Sequence, residues 1–67
     1  MTKFKERLKE VLVENNLSQA KLAETIDMSP SVVSNYCTGK REPTLDGLMR
    51  ICRELGVSAD YLLGLTD

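Results

Sequence analysis

The sequence predicts an all-α fold: a compact domain of five short helices spanning residues 1–67. Three observations carry that expectation. Apolar residues recur at three- and four-residue spacing, and no segment alternates with period two for long enough to make a strand. Helix punctuation recurs as well, with Ser, Thr and Pro at the starts and Gly at the ends. The 67 residues leave room for one core only, since a chain of this size buries about 60% of its unfolded surface. With 4% aromatic residues and no Trp, Leu, Ile and Val must fill that core.

The elements follow in order. Phe4, Leu8, Val11 and Leu12 share one stripe, which predicts a helix over residues 3–15 with Thr2 as its cap. Val13 falls off the stripe and is expected to be exposed, and "ENN" ends the helix. Ser18 caps a second, short helix that buries Leu22, Ala23 and Ile26. "DMSP" is a tight connection. Ser29 then caps a third helix, with Pro30 at its first position, where a missing N–H costs nothing. Gly39 ends that helix in the left-handed conformation. After the polar loop "KREP", Thr44 caps a fourth helix with the stripe Leu45, Leu48, Met49, Cys52 and Leu55, closed by Gly56. Ser58 caps a last helix that offers Tyr61, Leu62 and Leu65 to the core, with Gly64 near its end. No linker, internal repeat or low-complexity segment is present.

Composition narrows the function classes. The chain is 42% apolar and 28% charged, too apolar to be disordered. No apolar run approaches the roughly 20 residues of a membrane span, and "MTKFKERLKE" carries charges where a signal peptide is apolar, so a cytoplasmic location is expected. Two cysteines, Cys37 and Cys52, and no histidine make neither a CxxC motif nor a zinc site. Both read as small core residues. No metal, cofactor or small-molecule ligand is expected. A catalytic constellation and a glycine-rich phosphate loop are both lacking, so the chain reads as a non-enzyme. The net charge of −1 argues weakly against a nucleic-acid binder. Yet Lys3, Lys5, Arg7, Lys9, Lys40 and Arg41 cluster in two places, while Glu54, Asp60 and Asp67 make the tail acidic.

Helices two and three are the pair that points to a function. The few residues around Asp27 and Met28 cannot reverse the chain, so the helices must cross steeply. That is a helix-turn-helix arrangement, over about residues 18–38, in which the second helix enters the DNA major groove. At about 100° per residue, Ser31, Ser34, Asn35 and Thr38 fall within one arc of the third helix. Val33, Tyr36 and Cys37 fall opposite, and Val32 lies at the boundary. Short polar side chains let a helix approach base edges closely. Asn pairs bidentately with adenine, Ser with several bases, and valine touches a thymine methyl. A solvated helix face with no partner accounts for the same pattern.

"LSQAKLAETIDMSPSVVSNYCTGKREP", followed by "LGVSADYLLGL", resembles the Cro/CI-type helix-turn-helix domain of the lambda repressor-like, XRE family. The likeness runs from about Lys3 to Leu65. It implies a sequence-specific DNA-binding transcriptional regulator, foremost a repressor, that binds double-stranded DNA as a homodimer. It implies base-reading roles for Ser31 and Asn35, to which the polar arc of the helix adds Ser34 and its boundary adds Val32. Gln19 would contact a phosphate and brace the start of helix three, with Ser18, Thr38, Lys40 and Arg41 also on phosphates. Free N–H groups at a helix start attract phosphate, and Lys and Arg add an affinity that falls with salt. The dimer surface would lie around the last helix, Tyr61 to Leu65, and the loop before it. The chain is compatible with a whole small regulator or with part of a longer one.

Three departures from the family pattern matter. The tight turn carries Asp27 in place of Gly, so a positive φ is expected there, which Asp tolerates better than most residues. An arginine and a glutamate that many members pair are replaced by Leu12 and Cys37, expected to pack together as an apolar substitute. The first base-reading position is Pro30, which has no side-chain donor, so specificity would draw on DNA shape as well. The competing reading is a protein-interaction module, adaptor or antitoxin-like, that uses the fold without reading DNA. The lack of Lys or Arg on the reading helix leans that way.

Overall fold

The computed structural model describes residues 2–67. Its helices are α1 (Phe4–Glu14), α2 (Gln19–Thr25), α3 (Pro30–Thr38), α4 (Leu45–Leu55) and α5 (Ala59–Leu63). No strand occurs among the described residues. No helix among them is long and apolar enough to cross a membrane. Local chemistry sets most boundaries. The hydroxyls of Ser18, Ser29, Thr44 and Ser58 each accept the backbone N–H three residues on, one of the donors a helix start otherwise leaves unpaired. Gly39, Gly56 and Gly64 end α3, α4 and α5 with φ of 81°, 67° and 86°.

The start of α1 differs from expectation. Its cap position is Lys3, which makes no side-chain capping bond. Thr2 lies one residue too early for that role. Its hydroxyl still accepts the Phe4 N–H at 3.3 Å, and it donates to the Glu42 carboxylate in the loop after α3.

The core is one cluster in which Phe4, Leu8, Leu22, Val33, Ile51 and Leu62 are almost fully buried. α1 packs against α3 and α5, α2 against α3, and α4 against α5. Phe4 meets Tyr36 edge-to-face with ring centroids 5.7 Å apart, which joins the first helix to the third. Val13 is exposed, as its position off the stripe requires.

α4 is rotated from the predicted phase. Gly47 and Ile51 are its buried residues, with Leu48, Cys52 and Leu55 half-buried beside them. Leu45 and Met49, placed on the core stripe by spacing alone, are 87% and 43% exposed. Gly47 explains the rotation. A Cβ built there would stand 3.1 Å from Met28 Cε and 3.4 Å from the Tyr36 hydroxyl. Position 47 thus faces the core without a side chain, and a count of apolar residues does not register it.

Leu65 also leaves the predicted core and is 74% exposed. The left-handed turn at Gly64 takes the chain out of helical phase one residue earlier. Leu62 alone of α5 is fully buried. Its neighbour Tyr61 is clasped by α1. The Arg7 guanidinium lies 4.4 Å from the Tyr61 ring centroid and donates to the carbonyls of Tyr61 and Thr66, both at 2.9 Å. The Tyr61 hydroxyl donates to Glu10 at 3.0 Å. This hydrogen bond and the Glu10 charge raise the phenol above its ordinary pKa, partly opposed by Arg7.

Candidate nucleic-acid interface

α2 and α3 are joined by Ile26, Asp27, Met28 and Ser29. Such a turn needs one residue with positive φ, and Asp27 supplies it at 59°. The Met28 N–H donates to the Ala23 carbonyl at 2.9 Å, closing the end of α2. From α4, Arg50 donates to the Ile26 carbonyl at 3.2 Å while its Nε pairs with Asp46 at 3.0 Å. The turn is thus braced from outside the helix pair, by an arginine that spacing along the chain does not single out.

α3 buries Val33, Tyr36 and Cys37. Its other side exposes Ser31 and Thr38, with Ser34 and Asn35 half-buried. Val32 leans on the core and is also half-buried, which leaves less of it free than a boundary position suggests. The Ser31 hydroxyl lies 3.2 Å from that of Ser29. Among the described residues no Lys or Arg lies on this helix.

The cations stand beside the helix. Lys40 and Arg41 are exposed in the loop after Gly39. The Arg41 N–H donates to the Asn35 carbonyl at 3.3 Å, and the Thr38 hydroxyl donates to the same oxygen at 3.3 Å. One backbone oxygen of the polar face therefore fastens the basic loop, and Thr38 spends its proton in doing so. Ser18 caps α2 through its oxygen, accepting from the Lys21 N–H at 3.0 Å, so its own proton stays free for another acceptor. Gln19, the first residue of α2, is exposed.

Leu12 and Cys37 are 5% and 2% exposed and belong to the same core cluster. Burial raises the Cys37 thiol above its ordinary pKa, partly opposed by the charge of Lys9. Cys52 is raised by burial alone. Both cysteines are free thiols. A thiol held protonated is a poor nucleophile, so neither has the chemistry of a reactive site. Among the described residues no group of three or more His, Cys, Asp or Glu is placed to hold a metal ion.

Two short helices about a tight turn, the second with a polar outer face and a basic loop at its end, define a helix-turn-helix domain. A helix-turn-helix family model matches residues 8–62, and the chain belongs to that family, of the Cro/CI type. It is 37% identical over 62 residues to the HTH-type transcriptional regulator YobD of Bacillus subtilis (strain 168), covering 92% of this chain and 55% of YobD. The chain thus spans about half the length of that relative. Among solved structures it resembles a transcriptional regulator from Listeria innocua, at 25% identity and a TM-score of 0.89, over 100% of this chain and 63% of the other. It also resembles the P22 c2 repressor in complex with a synthetic operator, at 25% identity and a TM-score of 0.86, over 94% and 96% of the two chains.

Proposed function

We propose that this chain is a sequence-specific DNA-binding transcriptional regulator, foremost a repressor, that sets α3 into the major groove of an operator. The observation that carries the reading is the tie between the polar face of α3 and the basic loop. The Asn35 carbonyl accepts the Arg41 backbone N–H, so the loop that carries Lys40 and Arg41 is fastened to the helix whose outer face meets the bases. Ser31, Ser34 and Asn35 read base edges, with Val32 as an apolar contact. Gln19, Ser18, Lys40 and Arg41 hold phosphates, and Thr38 joins them by turning its hydroxyl proton from the Asn35 carbonyl to a phosphate oxygen. The likeness to a repressor bound to its operator supports this division.

The functional unit is a homodimer. One copy measures 27 Å along its longest axis, less than the roughly 34 Å between half-sites on one face of DNA. A single copy therefore reads one half-site. The exposed Leu65 beside α5 suits a weak, DNA-assisted contact between copies. No catalytic role is proposed.

Enrichment of random duplexes on the purified domain tests the reading. An inverted repeat with half-sites about one helical turn apart is expected. Asn35→Ala then lowers affinity for the recovered site about 5- to 150-fold, the value of one bidentate contact, and leaves random duplex unaffected. Enrichment of nothing, with random duplex still bound, would remove sequence reading from the account. The net charge of −1 favours a second reading, an adaptor or antitoxin-like module, which predicts no DNA binding at any salt.

A further inference from the structure

We propose that Lys5, on α1, is a further phosphate-contacting residue of this surface, held beside the basic loop by the bare backbone of Gly39. The inference rests on the DNA-binding reading and extends it to a helix outside the helix-turn-helix. Gly39 has a second role besides its φ of 81°. A Cβ built on it would stand 2.9 Å from Lys5 Cδ and 3.5 Å from Lys5 Nζ. The lysine stem therefore lies across the end of α3, in space that exists because residue 39 has no side chain. Lys5 and Arg41 line one surface depression with Gly39 and Tyr36, and Lys40 follows Gly39 directly.

The charges around Lys5 leave it available. The ion pairs among the described residues are Lys21–Glu24 and Arg50–Asp46, so Lys5 is in none. Glu6 and Glu42 line the same depression. Glu42 accepts from the Thr2 hydroxyl, a neutral donor that fixes the carboxylate without cancelling its charge. Glu42 thus moderates the grip of Lys5 and Arg41 on a polyanion. A cation at a helix C-terminus also interacts favourably with the helix dipole, so a purely structural role for Lys5 is the alternative that the test must separate.

The test measures binding to a random duplex between about 50 and 200 mM salt, a range over which phosphate contacts dominate. The parent domain is compared with Lys5→Met, which keeps an apolar stem over Gly39, with Lys5→Arg, and with Arg53→Met on α4 as a control. Each phosphate contact adds about 0.9 to the slope of log K against log salt, so the parent loses about 3.5-fold more affinity than Lys5→Met over this fourfold rise. Lys5→Arg restores the slope, and Arg53→Met leaves it alone. A changed melting temperature with an unchanged slope overturns the proposal in favour of the dipole role. An equal change in Arg53→Met overturns it too. Should Lys5→Met fail to fold, Lys5→Gln carries the test: the same difference of about 3.5-fold over the fourfold rise in salt is expected, and a slope equal to the parent's overturns the proposal. Failure of the parent itself to bind would instead overturn the DNA-binding reading on which this one stands.

Discussion

Cys37→Glu is the substitution that tests the anchoring of α3 most sharply. Cys37 is 2% exposed in a cluster with Leu12, which is 5% exposed. A glutamate there places a carboxylate in apolar surroundings with no arginine at position 12. A buried charge left without its partner costs about 3–5 kcal/mol. Lys9, close enough to act on the Cys37 thiol, offsets part of this, so the lower end of the range is expected. A domain of this length has a total stability of roughly 3–10 kcal/mol, taking about 0.05–0.15 kcal/mol per residue. The variant therefore loses a large share of its stability, measured by urea unfolding monitored through helical circular dichroism. The glutamate's pKa is pushed up by burial. A raised folded-state pKa favours the folded state below the ordinary carboxylate range and loses that advantage as pH rises, so the defect shrinks toward about pH 4. Leu12→Arg is destabilising by a similar amount. The double variant restores the family's ion pair and is more stable than either single one, with a coupling of about 2 kcal/mol or more. Additive losses, or a Cys37→Glu cost below about 1 kcal/mol, would refute the claim that these two positions form one buried contact.

Three further outcomes follow from the fold. Asp27→Val lowers stability by about 1–2 kcal/mol, because a β-branched residue resists the positive φ of the turn; thermal unfolding reads this directly. Ile51→Ala costs about 2–5 kcal/mol as a buried truncation, while Leu45→Ala stays within about 0.5 kcal/mol, and the pair reports the rotational phase of α4. Tyr61 has a raised pKa in the folded state, so its contribution is present below its ordinary value of 10.0 and is lost as pH rises through the folded value. Unfolding curves of the parent should therefore weaken above pH 10 more steeply than those of Tyr61→Phe, and identical pH profiles would remove the Tyr61–Glu10 bond from the account.

The elements legible in the sequence were those with chemical punctuation. Ser18, Ser29, Thr44 and Ser58 mark helix starts by side-chain capping, a local interaction that needs no knowledge of the rest of the chain. The positive φ of Asp27 was legible through the resemblance, which implies Gly at that position of the turn. The rotation of α4 was not legible, because Gly47 shapes the packing by what it lacks, and its neighbours Met28 and Tyr36 come from the α2–α3 turn and from α3. Leu65 was misplaced for a related reason: a left-handed glycine resets the phase of whatever follows. At the candidate interface, spacing identified the polar arc of α3 and the cations after it. The Asn35 tie to Arg41, the Arg50 brace on Ile26 and the position of Lys5 over Gly39 join segments far apart or through backbone atoms, and a helical wheel shows neither kind of contact.

The central claim is that α3 and its basic loop hold double-stranded DNA despite a net charge of −1. The most direct measurement is a fluorescence-anisotropy titration of a labelled random duplex with the purified chain, starting near 50 mM salt, where phosphate contacts are strongest. The account predicts saturable binding that weakens as salt rises, with a shallow slope set by a few phosphate contacts, and a further loss in Arg41→Gln. An anisotropy that stays flat at about 50 mM salt, with the protein folded, would contradict it.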